Sequence, residues 1–587
     1  MSFILLSRVS LHACITILIT FHIVCDTSWA EKIAFDVSGP LPKYPKGGKF
    51  GKGPIDLGGL EVYEAFYFKK IWSSESGGPK GLGASFYEPT AIPIPGFHVL
   101  GHYCKPNSVD KITPVLTAKD TTGNPRMGSL KRPIDYTLIW HMKDQNSTHL
   151  EGVYIWLPIA PFGYRAVGHI VTTSPERPSL DRVRCVRWEY TDLTDVDEWL
   201  WGGPNMVHVY TTKPRHGALS VPVGTFTAET SLKKYDLSCL KMFRGDPYAA
   251  MPNSIQIKKM IKTYGPWVYF HPDEQYFPSS VLWFFYNGAS LHQNDQNLGF
   301  VLNNGDNLPT TGGPDDAYLD LPYDQNDKER VMKGFLHDAV SYIHVKPALG
   351  GIYTDVVIWL YYPFNGGGKL QLGPFTIDLG VIGEHVSDWE HITLRIDNFH
   401  GALRAVYLSQ HAKGKWLRPR EFELMNGTRP VVYAALYGHA HYATPTYHLH
   451  TAGNLDSLDI RTLYDEFEKM NSSSKSHIVR GDKYLGFGVR DDAEKSNKVM
   501  DIASSYEVVS IDYKSLAMQP WLNYIGRWGP KILYDFTKEI LKIADKLPEN
   551  VKEVAIKILN KLPPELLGEE GPTGPKMREN WFGDERV

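Results

Sequence analysis

A heptapeptide that returns constrains this chain most. Gly96-Phe-His-Val-Leu-Gly-His102 reappears as Gly163-Tyr-Arg-Ala-Val-Gly-His169, 67 residues further on. Each copy follows a proline-rich approach, Ile92-Pro-Ile-Pro95 and Leu157-Pro-Ile-Ala-Pro161, and a third, degenerate copy is expected around Val221-Pro-Val-Gly-Thr-Phe226. Short strand pairs that recur in this way cannot bury a face alone, so the copies must pack on one another. The 52 Gly and 40 Pro, with 33 Tyr, 25 Phe and 15 Trp, favour turns and strands over long helices. The expected fold is mainly β. An N-terminal pseudo-repeat β-domain, prism or trefoil-like, fills 31–245, and a metal-site β-sandwich fills 246–525. A short helical and extended C-terminal tail covers 526–587. Domains of the prism or trefoil kind often carry carbohydrate sites, a link of fold analogy alone.

Charge narrows the function. Lys+Arg number 62 against Asp+Glu 65, a net charge of −3 over 587 residues, so there is no basic field for a dedicated nucleic-acid binder. The first 30 residues read as a secretory signal peptide: an early Arg8, an apolar run from Ala13 to Val24, and Ser28-Trp-Ala30 as the cleavage site. The other reading is a signal anchor, for which the apolar run is short. Sequons at Asn146, Asn426 and Asn471 fit a secretory-pathway, secreted or vacuolar glycoprotein. Cys104, Cys185 and Cys239 remain after the signal. They form no metal-binding CxxC pair, and one bridge is conceivable, Cys185–Cys239 slightly ahead of the alternatives.

Along the chain, Glu31–Leu60 is a loose lead-in. His102 and His169 each follow a repeat glycine, either as ligand contacts or as turn histidines bonded to backbone. Asn253–Thr263 has amphipathic helical spacing, and Val281–Tyr286 reads as an aromatic strand. His271-Pro-Asp-Glu274 is either a second acidic site or a turn with a capped Asp. Lys531–Lys546 and Val551–Leu562 have helical spacing, lying on a membrane or packed on the sheets. Glu569–Pro575 reads as an extended tail.

The chemistry concentrates in Gly383-Glu-His385-Val-Ser-Asp388-Trp389-Glu390-His391-Ile-Thr-Leu-Arg-Ile396. From Asp388 the pattern alternates as a strand, so Asp388, Glu390, Ile392, Leu394 and Ile396 share a face. Two carboxylates about 7 Å apart at the mouth of an apolar core repel each other. A divalent cation resolves this, Ca²⁺ or Mg²⁺ by the oxygen donors, Mn²⁺ or Zn²⁺ if His385 joins them. The competing reading pairs the carboxylates with Arg395 or Lys346. Histidines crowd the stretch that follows, at His391, His411, His439, His441, His448 and His450. On a strand His439 and His441 would share a face and line one cleft. Solvent-facing histidines are the plain alternative.

Phe86-Tyr-Glu-Pro89, Tyr269-Phe-His-Pro-Asp-Glu274, His344-Val-Lys-Pro-Ala-Leu-Gly350, Gly383-Glu-His385, Asp388-Trp-Glu-His391, Ser409-Gln-His411 and Glu569-Glu-Gly-Pro-Thr-Gly-Pro575 together resemble the vacuolar protein sorting-associated family of plants and fungi, over nearly the whole mature chain. That resemblance implies a link to vacuolar sorting and no particular chemistry. The central motif also resembles the heptapeptide of the necrosis- and ethylene-inducing toxins, secreted metal-dependent β-sandwich cytolysins that bind sphingolipid glycan head groups. This second resemblance implies that His385, Asp388 and Glu390 contact the metal. It places Asn365, at the end of Trp359-Leu-Tyr-Tyr-Pro-Phe-Asn365, where the toxins carry an acid, one negative charge fewer. His439, with Tyr442 three residues on, is similar to a histidine motif of the toxin cleft.

Three functions follow as expectations. One is cation-dependent binding of a glycan or glycolipid head group, with peripheral membrane contact and with Trp389, His439 and His441 at the ligand. The second is a metal-dependent hydrolase using His439 or His441 as base. No nucleophile elbow, P-loop or HExxH motif supports that enzyme. The third is a luminal trafficking factor.

Overall fold

A computed structural model describes residues 43–450 and 487–583, together with 585. Positions 66, 91–93, 110–111, 143–151, 204–205, 217–218, 231–232, 295, 373–374, 412, 532–534, 546–551, 553–555 and 557–569 are excepted. The signal segment, the Asn146 and Asn471 sequons and most of Val551–Leu562 therefore lie outside the described residues. The protein is mainly β. It divides into two compact units, one of Met1–Asn253 with Pro347–Thr354 and Asp397–Ala402, the other of Ser254–Lys346, Asp355–Ile396 and Leu403–Val587.

In the first unit one hydrogen-bonding pattern is drawn three times. Phe68–Ser73 pairs with Ala84–Pro89, which pairs with Tyr103–Pro106, while Leu60–Glu64 and His98–Val99 flank Leu116–Asp120. Asp135–Met142, Val153–Ile159 and Ile170–Thr172 repeat the first set, and Leu130–Lys131 and Tyr164–Arg165 flank Cys185–Arg187. In the third copy the long strand Thr191–Gly202 serves both sets. It pairs with His208–Pro214, which pairs with Phe226–Glu229, and with Ser220–Val221 it flanks Ser238–Lys241.

The three copies close on themselves. His102 N donates to His169 O at 2.8 Å, His169 N to Phe226 O at 3.4 Å, and Phe226 N to His102 O at 3.4 Å. The side chains follow the same cycle: His102 Nδ1 accepts from Val171 N, and His169 Nδ1 from Ala228 N. Both imidazoles are therefore turn histidines bonded to backbone, and their burial holds them uncharged, His102 down to about 3 and His169 to about 4. The conserved step before each is steric. A Cβ on Gly101 would stand 2.7 Å from Gly168 Cα, and one on Gly168 would stand 2.7 Å from Thr225 Cβ. Thr225, the third copy's counterpart, fills the space the two glycines leave. Cys104, Cys185 and Cys239 are buried and free, so the expected Cys185–Cys239 bridge is not formed.

The second unit is built on a six-stranded sheet in the order Lys413–Leu417, Leu403–Gln410, His385–Asp397, Tyr353–Asn365, Ser341–Ala348, Tyr506–Ile511. Its central strands are buried on both faces. On one, Tyr361 and Trp389 join Trp521 and Trp528 in an aromatic core; on the other, Tyr362 meets Phe270 and His439. The amphipathic helix is present as Ser254–Tyr264. Val281–Tyr286, however, is a helix and not a strand. Ser280 Oγ caps it by accepting from Trp283 N at 3.0 Å, and Val281, Phe284 and Phe285 face the core at helical spacing. Six consecutive apolar residues carry no period of their own, so burial decides between the two. Phe536–Ala544 is the first C-terminal helix, with Ile540, Ile543 and Ala544 buried against protein. Glu570–Pro575 is held against the fold by antiparallel bridges, Glu570 to Lys531 and Thr573 to Arg527, and Pro575 is buried. No helix among the described residues is long and apolar enough to cross a membrane.

Candidate functional site

Near the start of the strand His385–Asp397, Ser387 has φ of 58°, and His385 and Asp388 on either side of it both border one cavity. That cavity has a volume of about 350 Å³, and Asn365, His385, Asp388, Glu390, His411, Asp491 and Arg578 are among the residues around it. All four expected metal contacts, Asn365, His385, Asp388 and Glu390, are therefore gathered at one opening of the second unit.

Each of the four has a donor atom committed and another left over. His385 Nδ1 lies 2.6 Å from Ser387 O, which makes Nδ1 the protonated nitrogen and leaves the Nε2 lone pair. Burial, chiefly, lowers the pKa of this ring and keeps it neutral. Asn365 Nδ2 donates to Gly366 O and to Gly383 O, which assigns Oδ1 as its remaining group. Asp388 Oδ2 faces His439 Nδ1 at 3.1 Å, and Glu390 Oε2 accepts from Ser409 Oγ.

The two carboxylates are not equivalent. Burial and the neighbouring Asp388 push Glu390 up to about 8, so it holds a proton at neutral pH. Burial also works to raise Asp388, but the hydrogen bond from His439, with the field of Arg578, outweighs it, and Asp388 stays low. The expected repulsion of two full charges is thus relieved by a proton. Neither Arg395 nor Lys346 pairs with them. Arg395 makes a two-pronged ion pair with Asp355, and Lys346 donates to the carbonyls of Asn580 and Gly583. Arg578 stands close enough to feel both, with no ion pair to either among the described residues, and His411 feels both as well.

Of the three expected ligand contacts, Trp389 borders the cavity and His439 and His441 do not. The Trp389 ring sits in the aromatic core against Tyr361, Trp521 and Trp528. His439 is fully buried behind Asp388, stacked on Tyr362, with Nε2 on Tyr276 O at 2.9 Å. His441 is fully buried too, Nδ1 near Ser409 Oγ, and burial takes it down to about 3. The strand here is only His441–Tyr442, so the two histidines do not share a strand face. They support the carboxylates from behind. His271–Glu274 is a turn capped by Glu274, whose Oε1 accepts from Gln275 N and Tyr276 N and whose Oε2 accepts from Tyr437 N.

Arg578 and Asp491 border the cavity without belonging to any motif of the sequence. Arg578 lies in the C-terminal stretch with no local signal. Asp491 sits in a short run, Arg490-Asp-Asp492, ordinary for an exposed strand.

The family model for vacuolar protein sorting-associated protein 62 matches residues 31–479 and 468–585. In Saccharomyces cerevisiae, vacuolar protein sorting-associated protein TDA6 is 25% identical over 233 residues, 33% of this chain and 48% of that protein. Vacuolar protein sorting-associated protein 62 of the same yeast is 31% identical over 114 residues, 17% of this chain and 23% of that protein. The chain thus spans less than half the length of these curated relatives. Among solved structures, GNIP1Aa from Chromobacterium piscinae has 18% identity, with 35% of this chain and 40% of that one covered at a TM-score of 0.27. Necrosis and ethylene inducing protein 2, from the causal agent of cocoa's witches broom disease, has 14% identity over 32% of this chain and 67% of that one, at a TM-score of 0.18. Likeness at these TM-scores supports no further step.

Proposed function

The chain belongs to the vacuolar protein sorting-associated protein 62 family, and we propose that this member binds a glycan or lipid head group through a divalent cation held by Asn365, His385, Asp388 and Glu390. The observation that carries this reading is that those four residues border one cavity, with the His385 Nε2 lone pair left by the Nδ1 bond to Ser387 O. That bond is the support a metal-ligating histidine usually has.

The donors fit a hard divalent ion in kind: one amide oxygen, two carboxylates and one neutral imidazole. Ca²⁺ or Mg²⁺ suits the oxygens, with Mn²⁺ or Zn²⁺ as the alternatives that the imidazole admits. The charges fit less fully, because Glu390 is protonated and Arg578 already faces the pair. Loading the site requires Glu390 to give up its proton, which ties cation binding to proton release. Held by these residues, a divalent ion would supply coordination to sugar hydroxyls or head-group oxygens. The chain's own part is to hold Asp388 in place through His439 and to orient Glu390 through Ser409. The setting consistent with the family is the secretory pathway or the vacuole.

Hydrolysis gains less support. The proposed bases His439 and His441 are sealed behind the carboxylates and do not border the cavity.

The purified chain would be mixed with glycolipid vesicles, with and without Ca²⁺ or Mg²⁺, alongside generic ester and phosphoester substrates. Cation-dependent sedimentation with the vesicles and no turnover is expected. Turnover abolished by Asp388→Asn would instead make the chain an enzyme.

A further inference from the structure

We propose that His411, His450 and Asp491 form a second metal site, for a borderline divalent transition ion of the Zn²⁺ class, distinct from the carboxylate site described above. The ligand atoms of these three residues lie within 4.8 Å of one another. His385, Asp388 and Glu390 are not gathered that closely among the described residues.

The sheet itself builds this cluster. Tyr447–His450 runs antiparallel to Phe487–Asp492, with His448 opposite Asp491. A period of two then places His450 on the same face as His448, diagonal to Asp491 and within reach of it. His411 enters from the end of Leu403–Gln410, where a φ of 56° turns it out of the strand. His411 Nε2 stands 2.8 Å and His450 Nε2 3.1 Å from the same oxygen, Asp491 Oδ2. The two rings meet edge to face, 4.9 Å between centroids. Tyr442 OH comes within hydrogen-bond distance of both Asp491 Oδ2 and His450 Nε2. Its ring is locked by stacking on His448 at 3.7 Å.

Four polar atoms are thus pressed around one point. Two ring nitrogens and a phenol converge on a single carboxylate oxygen that is nearly fully buried. Without a metal, His411 and Tyr442 can donate to Asp491 Oδ2 and His450 to Tyr442 OH. A divalent ion would replace that network, taking both Nε2 lone pairs and the carboxylate. Two imidazoles and one carboxylate select Zn²⁺, Co²⁺ or Mn²⁺ over Ca²⁺ and Mg²⁺, which prefer oxygen throughout. His411 and Asp491 also border the cavity, so an ion held here would be reached from it. The assignment uses none of the four residues of the proposed function and stands or falls apart from it.

The test uses the full chain, stripped with a chelator and titrated with Zn²⁺ and, for its colour, Co²⁺. The parent is expected to bind one equivalent of Zn²⁺ through this cluster and to show visible ligand-field absorption with Co²⁺. His450→Ala and His411→Ala should each weaken Zn²⁺ binding at least about tenfold. His450→Asp, which restores a donor, should recover most of the loss. Asp388→Asn should leave Zn²⁺ binding here unchanged while weakening the Ca²⁺ or Mg²⁺ response, so the two sites are read separately. A colourless Co²⁺ titration of the parent would overturn the assignment, even if every variant failed to fold. So would parent-like Zn²⁺ affinity in both histidine-to-alanine variants.

Discussion

His385 and Ser387 are joined by a hydrogen bond of 2.6 Å from the imidazole Nδ1 to the carbonyl oxygen two residues on. The bond exists because the Ser387 backbone turns through the left-handed region and brings its carbonyl back under the ring. It fixes which nitrogen faces the cavity. A neutral ring with a fixed tautomer presents its Nε2 lone pair to the cavity without first having to turn.

His385→Ala, Asp388→Ala and Glu390→Ala are each expected to weaken binding of the cation at this site at least tenfold, about 1.4 kcal/mol. The measurement is thermal stabilisation by added Ca²⁺ or Mg²⁺. Equal stabilisation of parent and variants would contradict it.

The three-fold ring of the first unit rests on contact between glycines. Adding a methyl at Gly168 meets Thr225 Cβ at 2.7 Å, Cγ2 at 2.9 Å and Oγ1 at 2.9 Å. Gly168→Ala should therefore lower the stability of that unit by about 1–3 kcal/mol through overpacking. Denaturant unfolding followed by Trp fluorescence reads the change. An unaltered midpoint would show that the ring has slack.

Acid should weaken the same unit early. His102 and His169 are held near 3 and 4 in the folded state, well below the ordinary imidazole value near 6.5. Below about pH 6.5 the unfolded chain takes up two protons that the folded unit refuses, so stability is full above that pH and falls as pH drops. The slope is about 3 kcal/mol per pH unit for the two together until they titrate in the fold. Urea midpoints between pH 7 and pH 4.5 test this. His102→Gln should flatten the fall by about half, and a midpoint independent of pH would refute it.

Ser280→Ala removes the cap of the short helix Val281–Tyr286 and should cost about 1 kcal/mol, while Ser280→Asp should retain most of the stability. Thermal melts of the two variants measure it. Indifference to both substitutions would mean that core packing alone decides the helix.

Part of this was legible in the sequence. The repeat could be read because a glycine contact and a backbone-bonded histidine recur together, and two of the three copies retain both. The third was faint because Phe226 and Thr225 stand where the others carry His and Gly. The alternation from Asp388 could be read because the strand holds its register from Ile392 to Arg395 and shifts only at Ile396. The strand assigned to Val281–Tyr286 failed because an unbroken apolar run has no period. The roles of His439 and His441 were misplaced because strand logic was applied to a turn, where His439 has φ of 54°. Arg578 and Asp491 reach the cavity from 190 and 103 residues beyond Asp388, a meeting that only the folded chain reveals.

Calorimetric titration of the full-length chain with Ca²⁺ and Mg²⁺, parent against Asp388→Asn, tests the account most directly. The parent should bind one ion with release of a proton, detected as a heat that changes with the ionisation enthalpy of the buffer, and the variant should bind at least tenfold more weakly. Identical isotherms for the two proteins, or no heat from the parent, would contradict a cation at Asn365, His385, Asp388 and Glu390.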